Sequence, residues 1–182
     1  MKIALVSDLH GQLRTLKYLE QIREKEKPDA LILSGDITHA GETEFADSLF
    51  EIFDRYKEVY LICGNSDQGA AYKYLELSRY SINQRCHSLG SSKVCGLSFG
   101  EEVNSIDSDL SGSIFVTHQP PVQALMNKVY KYSPKFHISG HLHKSAFTKK
   151  YPSTIHIQVP TLQDGRYAIL DLESAQVEFK VI

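Results

Sequence analysis

The sequence predicts an α/β fold in which two β-sheets pack face to face and helices cover their outer faces. Three observations predict it. The early segments alternate strand and helix in the order βαβαβ. The early strands are unbroken apolar runs, as parallel strands covered on both sides require. From residue 146 onward the chain reads as three or four strands with no helix between them, which supplies material for a second sheet.

Residues 2–7 (KIALVS) form the first predicted strand. Residues 13–27 are polar with leucines interspersed, and Pro28 ends the helix they predict. Residues 30–34 (ALILS) are a second strand. Phe45, Leu49, Ile52, Phe53 and Tyr56 recur at one-face helical spacing. Residues 59–63 (VYLIC) are a third strand, and a short helix is expected over 72–80. A Gly-Ser-Ser turn inside 86–99 predicts a hairpin, and 101–113 reads as loop. Strands follow at 114–117 and 136–139, with helical spacing of Val122, Leu125, Met126 and Val129 between them. Ile155, Ile157 and Val159 alternate with His156 and Gln158, the period of a half-buried strand.

At 182 residues the chain suits one domain, residues 1–182, and folding should bury roughly 70% of its unfolded surface. A formal net charge of −2 gives no global sign of a nucleic-acid binder. The apolar run at 3–6 is too short for a secretion signal, and no segment approaches a membrane span. Cys63, Cys86 and Cys95 are an odd, sparse set without a CxxC pair, so neither a disulfide framework nor a zinc site is expected, and a cytoplasmic location fits.

The chemistry collects after the strands. Asp8 and His10 follow the first; Gly35 and Asp36 the second; Gly64, Asn65, Ser66 and Asp67 the third. His118 follows the strand at 114–117, and Gly140, His141 and His143 follow the one at 136–139. Ligands of open α/β sheets bind beyond the carboxyl ends of the strands. Asp8, His10, Asp36, Asn65, His118, His141 and His143 would therefore meet in one crevice. Their oxygen and imidazole donors suit Mn²⁺, Fe or Zn²⁺ better than Mg²⁺. Seven ligands exceed one metal's needs and suit two metals that share a carboxylate.

Asp8-Leu9-His10, Gly35-Asp36, Gly64-Asn65-Ser66-Asp67, His118 and Gly140-His141-Leu142-His143, in that order, resemble the calcineurin-like metallophosphoesterase superfamily, in its small bacterial and archaeal phosphodiesterase-like branch. The resemblance implies a four-layer αββα sandwich. It implies that Asp8, His10 and His143 bind one metal, that Asn65, His118 and His141 bind a second, and that Asp36 bridges them. Asp36, Asn65 and His118 are the expected catalytic residues. The implied cofactors are two divalent ions, Mn first, with Fe, Zn or Ni as alternatives. The implied reaction is hydrolysis of a small-molecule or nucleotide phosphate ester, a diester by preference, by a hydroxide held between the metals.

Two departures qualify the resemblance. Many members carry His where this chain has Ser66, so acid help to the leaving group is missing or comes from elsewhere. His39 is a candidate substitute, against the ordinary reading of a solvated loop histidine. The Arg that follows the GD motif in protein phosphatases of the superfamily is absent from 35–41, which argues against a protein substrate. His87, His137 and His156 read as structural, the last two marking polar strand faces. Lys149 and Lys150 read as a solvated turn, and Tyr72, Tyr74 and Tyr80 as partly buried. A metal-binding scaffold for protein contacts is the alternative function, favoured by Ser66 and opposed by the intact ligand set. A nuclease would call for a basic track that the balanced charge does not suggest.

Overall fold

The computed structural model describes residues 1–39, 42–102, 105–106, 109–121 and 131–182. The first half builds a parallel core: β1 (Lys2–Val6), α1 (Leu13–Glu26), β2 (Ala30–Ser34), α2 (Glu44–Phe53) and β3 (Val59–Ile62). Then come α3 (Gly69–Glu76), the hairpin of β4 (Arg85–Leu89) and β5 (Ser92–Leu97), β6 (Ile114–Thr117) and β7 (Phe136–Ser139). The tail adds β8 (Phe147–Lys150), β9 (Ile155–Gln158), a 3₁₀ turn (Leu162–Asp164), β10 (Arg166–Asp171) and β11 (Gln176–Val181).

The strands form two mixed sheets, ordered β11-β10-β1-β2-β3 and β4-β5-β6-β7-β9-β8. In the first, β1, β2 and β3 are parallel and β10 returns antiparallel along β1. In the second, β5, β6, β7 and β9 are parallel, with antiparallel β4 and β8 at its edges. The early strands are apolar apart from Lys2 and Ser34 at their ends, because both their faces are covered. Ile3, Leu5 and Ile32 face Ile114, Val116, Phe136 and Ile157 between the sheets. Ala4, Val6, Leu31 and Leu33 face Leu19, Ile22, Leu49 and Phe53 of the helices. Full burial of each such large side chain stabilises the fold by roughly 1.5–3 kcal/mol. The outer face of the second sheet carries its own cluster, in which Ile106 and Leu110 pack on Cys95, Leu97 and Phe115. The helix expected around Val122 to Val129 lies outside the described residues.

The α/β class, the two face-to-face mixed sheets and the flanking helices agree with the sequence reading. Four details differ from it, the first being that Lys149 and Lys150 lie in β8, exposed, and not in a turn. The third helix begins at Gly69 and ends at Glu76, so Tyr80 lies beyond it and packs, buried, on Phe50 and Phe53. His137 and His156 lie on a polar sheet face, as expected, but that face is buried and not solvated. Cys86 and Cys95 face each other across β4 and β5 and form a disulfide. Residue spacing alone does not reveal that register, and the pair removes one support for a cytoplasmic location, since persistent disulfides favour oxidising compartments. Cys63 is free and buried, as expected. No helix among the described residues is long and apolar enough to cross a membrane.

Candidate metal centre

The loops after β1, β2, β3, β6 and β7 all open at one end of the sandwich. Asp8, His10, Asp36 and His143 converge there, with one ligand atom from each lying within 4.8 Å of the others. His143 Nε2 stands 3.2 Å from Asp8 Oδ1 and 3.1 Å from His10 Nε2. Asp36 faces two ways: its Oδ2 is 3.5 Å from His10 Nε2, and its Oδ1 is 3.4 Å from His118 Nε2. His118 Nε2 also lies 3.1 Å from Asn65 Oδ1. The His141 ring meets the His118 ring edge to face at 5.1 Å between centroids, and the His141 amide donates to Asp8 Oδ2 at 3.1 Å. Four of the predicted residues therefore form one group, Asn65 and His118 stand on the far side of Asp36, and His141 joins them only through its ring contact with His118.

The backbone is strained where these residues sit. Asp8, His10, Asp36 and His141 all have positive φ, between 48° and 69°. Each non-glycine residue so held costs on the order of 1–3 kcal/mol, and such residues cluster at functional sites. The preceding glycines serve two needs. Gly35 has φ +97° and turns the chain, as the sequence suggests. Gly64 is there for space: a Cβ on it would lie 2.2 Å from Asp36 Oδ1.

Asp67 holds the β2 and β3 loops together. Its buried carboxylate accepts from the amides of Ile37 (3.0 Å), Thr38 (2.7 Å) and Gly64 (2.8 Å) and from the Thr38 hydroxyl (2.9 Å). Ser66 donates to Asp36 through its amide at 2.7 Å and its hydroxyl at 3.1 Å. Burial works against ionisation of Asp36, but His118 and the Ser66 amide hold its pKa down at about 2. Burial pushes the His10 pKa below its ordinary value against the pull of Asp36 and Asp8. His118 is buried too, yet its contact with Asp36 raises its pKa.

Several residues that support the site were not picked out from sequence. Thr161 donates its hydroxyl to the Asp8 carbonyl at 2.8 Å and its amide to the His143 carbonyl at 3.0 Å. On the outer face of the second sheet, Thr117 donates to the Gln119 carbonyl at 2.6 Å, so its hydroxyl accepts from His137 Nε2 at 2.8 Å. Ser139 likewise donates to Gln158 Oε1 at 3.1 Å and accepts from His156 Nε2 at 2.8 Å. Gln158 passes the chain on to the Gly140 carbonyl at 2.6 Å. Two buried imidazoles thus brace the segments that carry His118 and His141. No sequence pattern marks them, because only the sheet register pairs His137 with His156 and Ser139 with Gln158.

The donor set fits divalent cations. Asp8 Oδ1 is fully buried and has no hydrogen-bond partner, which is costly unless a cation meets it. His118 Nδ1 lies 2.8 Å from the Ser34 carbonyl, so a proton there leaves the Nε2 lone pair facing Asp36 and Asn65. Metal-ligating histidines commonly carry such a second hydrogen bond.

A cavity of about 510 Å³ opens beside His10 and His143, and His39 lies on its wall, exposed. On the other side, next to His118, Phe99 and Gln119 line a narrow cleft of about 50 Å³.

The family model for calcineurin-like phosphoesterases matches residues 1–145. The uncharacterized protein MJ1162 of Methanocaldococcus jannaschii is 25% identical over 85% of this chain and 86% of its own length. The crystal structure of TT1561 of Thermus thermophilus shares the fold at a TM-score of 0.80 and 15% identity, over 99% of this chain and 98% of that one. A structure described as a novel archaeal phosphodiesterase superposes at a TM-score of 0.67 and 15% identity, over 100% of both chains.

Proposed function

We propose a function from one premise: this chain belongs to the calcineurin-like phosphoesterases. The family implies divalent metal ions and a phosphate ester substrate, and it supports a metal-dependent phosphoesterase. Our finer reading is a phosphodiesterase with two divalent ions, Mn first. Asp8, His10 and His143 hold one ion, Asn65, His118 and His141 the other, and Asp36 bridges.

The observation that carries this reading is the division of Asp36, with Oδ2 toward His10 and Oδ1 toward His118. A carboxylate placed so is suited to two ions at once. When bound, a pair of divalent ions supplies positive charge for the phosphoryl oxygens and lowers the pKa of water toward neutrality. The chain's own residues prepare for this. The Ser34 carbonyl orients the His118 ring, and Asp67 fixes the loops that bear Asp36 and Asn65.

Ser66 gives its hydroxyl to Asp36, so it is engaged and offers no acid to a leaving group. Substrates with good leaving groups are therefore favoured. Among the described residues no Lys or Arg lines the cavity, which suits a singly charged diester better than a doubly charged monoester. The test compares bis-p-nitrophenyl phosphate with p-nitrophenyl phosphate at saturating Mn²⁺. A higher kcat/KM for the diester is expected, and a preference for the monoester would overturn the phosphodiesterase reading. Calorimetric titration of metal-stripped protein should show two equivalents of Mn²⁺, and a single equivalent would contradict the dinuclear site.

A further inference from the structure

We propose that the cavity beside His10 and His143 is a subsite for a neutral, hydrogen-bonding alcohol arm of the diester, of the sugar or nucleoside kind. This proposal rests on the phosphodiesterase reading above. The space around the centre is uneven: about 510 Å³ on the His143 side against about 50 Å³ on the His118 side. Of these two spaces among the described residues, the one on the His143 side has room for the larger arm of a diester. The larger volume lies within the range, roughly 300–1,000 Å³, of small-molecule sites.

The lining decides the chemistry of that arm. Gln12 enters from the segment before α1, and Gln163 from the 3₁₀ turn after β9. Gln12 Nε2 donates to Gln163 Oε1 at 3.0 Å, and this bond fixes both amides. Among the described residues Gln12 Oε1 and Gln163 Nε2 have no further partner, so an acceptor and a donor stand side by side at the wall. That pair complements a sugar hydroxyl pair or the edge of a base, each of which offers donor and acceptor together. The platform is firm, because Thr161, which caps the 3₁₀ turn, accepts from the Gln163 amide at 3.2 Å and donates to the Asp8 carbonyl at 2.8 Å.

Charge narrows the class further. Glu42 is the only ionic side chain on the wall among the described residues, and it opposes a second phosphate or a carboxylate on the arm. The cations proposed at Asp8 and Asp36, next to the cavity, oppose a positively charged arm. A neutral polar arm meets neither objection.

The experiment uses the Mn-loaded full chain and three chromogenic diesters that share p-nitrophenol as leaving group. The second arm is p-nitrophenyl, thymidine or choline. The thymidine ester should have the highest kcat/KM. In Gln12→Ala/Gln163→Ala, the thymidine to p-nitrophenyl ratio of kcat/KM should fall at least about tenfold, as expected for two lost neutral hydrogen bonds. Turnover with an unchanged ratio, or a preference for the choline ester, would overturn the subsite and leave the phosphodiesterase reading intact. No turnover of any ester by the wild type would overturn both.

Discussion

The side-chain amide of Gln158 donates to the Gly140 carbonyl at 2.6 Å, one residue before His141. With His156 and Ser139 behind it, this bond sets the β7 exit from the outer face of the sheet. Groups bonded directly to a ligand side chain are typically worth about 10–100-fold in metal affinity, and Gln158 acts one step further out. Gln158→Leu should weaken Mn²⁺ binding by up to about that order in a calorimetric titration, and Gln158→Glu, which keeps an acceptor for Ser139 but sets a carboxylate oxygen against the Gly140 carbonyl, should not restore it. A variant that loses apo stability alone, with metal affinity unmoved, would make Gln158 a packing residue only.

Gly64 lies against Asp36 too closely for any side chain. Gly64→Ala places a Cβ 2.2 Å from Asp36 Oδ1 and 2.3 Å from its amide nitrogen. Overpacking at such a site costs roughly 1–3 kcal/mol. The variant should fold with a lower midpoint in urea and should lose turnover with every divalent metal. Wild-type activity in this variant would show that the Asp36 carboxylate is free to move.

Asp67 gathers two ligand-bearing loops through three backbone amides and a hydroxyl. Asp67→Asn replaces one acceptor oxygen with an NH₂ group that meets other donors. The loss should be about 1–3 kcal/mol in chemical denaturation, the usual cost of buried donors left unmet. Thr38→Val removes only the hydroxyl contact and should cost about 0.5–1.5 kcal/mol.

Acid should destabilise the metal-free protein through His156. Burial, with Lys149 nearby, lowers its pKa from 6.5 to about 4. The unfolded chain takes up this proton below 6.5, while the native state refuses it until about 4. Stability from this residue is therefore complete above 6.5 and falls as pH drops toward 4, by up to roughly 3 kcal/mol. Denaturation followed from pH 7.5 to 4 should show this decline, and His156→Phe should flatten it. His137, held well below its ordinary pKa by burial and by His156, adds in the same direction.

The strand ends were legible in the sequence because ligand-bearing residues directly follow runs whose apolar length marks them as strands. Asp8 after β1 and His118 after β6 are cases, and tertiary structure brings them to one end of the sandwich. The braces were not legible. His137 and His156 sit at alternating positions that read as polar faces, and only the covering of the outer face buries them. Thr161 acts on Asp8 from 153 residues away, a distance no local pattern spans. The Cys86–Cys95 pair depends on hairpin register in the same way.

Phosphoester hydrolysis at Asp36 should depend on metal. This dependence is tested most directly by following bis-p-nitrophenyl phosphate with metal-stripped protein, with and without Mn²⁺, beside Asp36→Asn. Turnover should appear on adding Mn²⁺ and disappear in the variant. Tight metal binding with no turnover under any divalent metal would contradict it and favour a metal-binding scaffold instead.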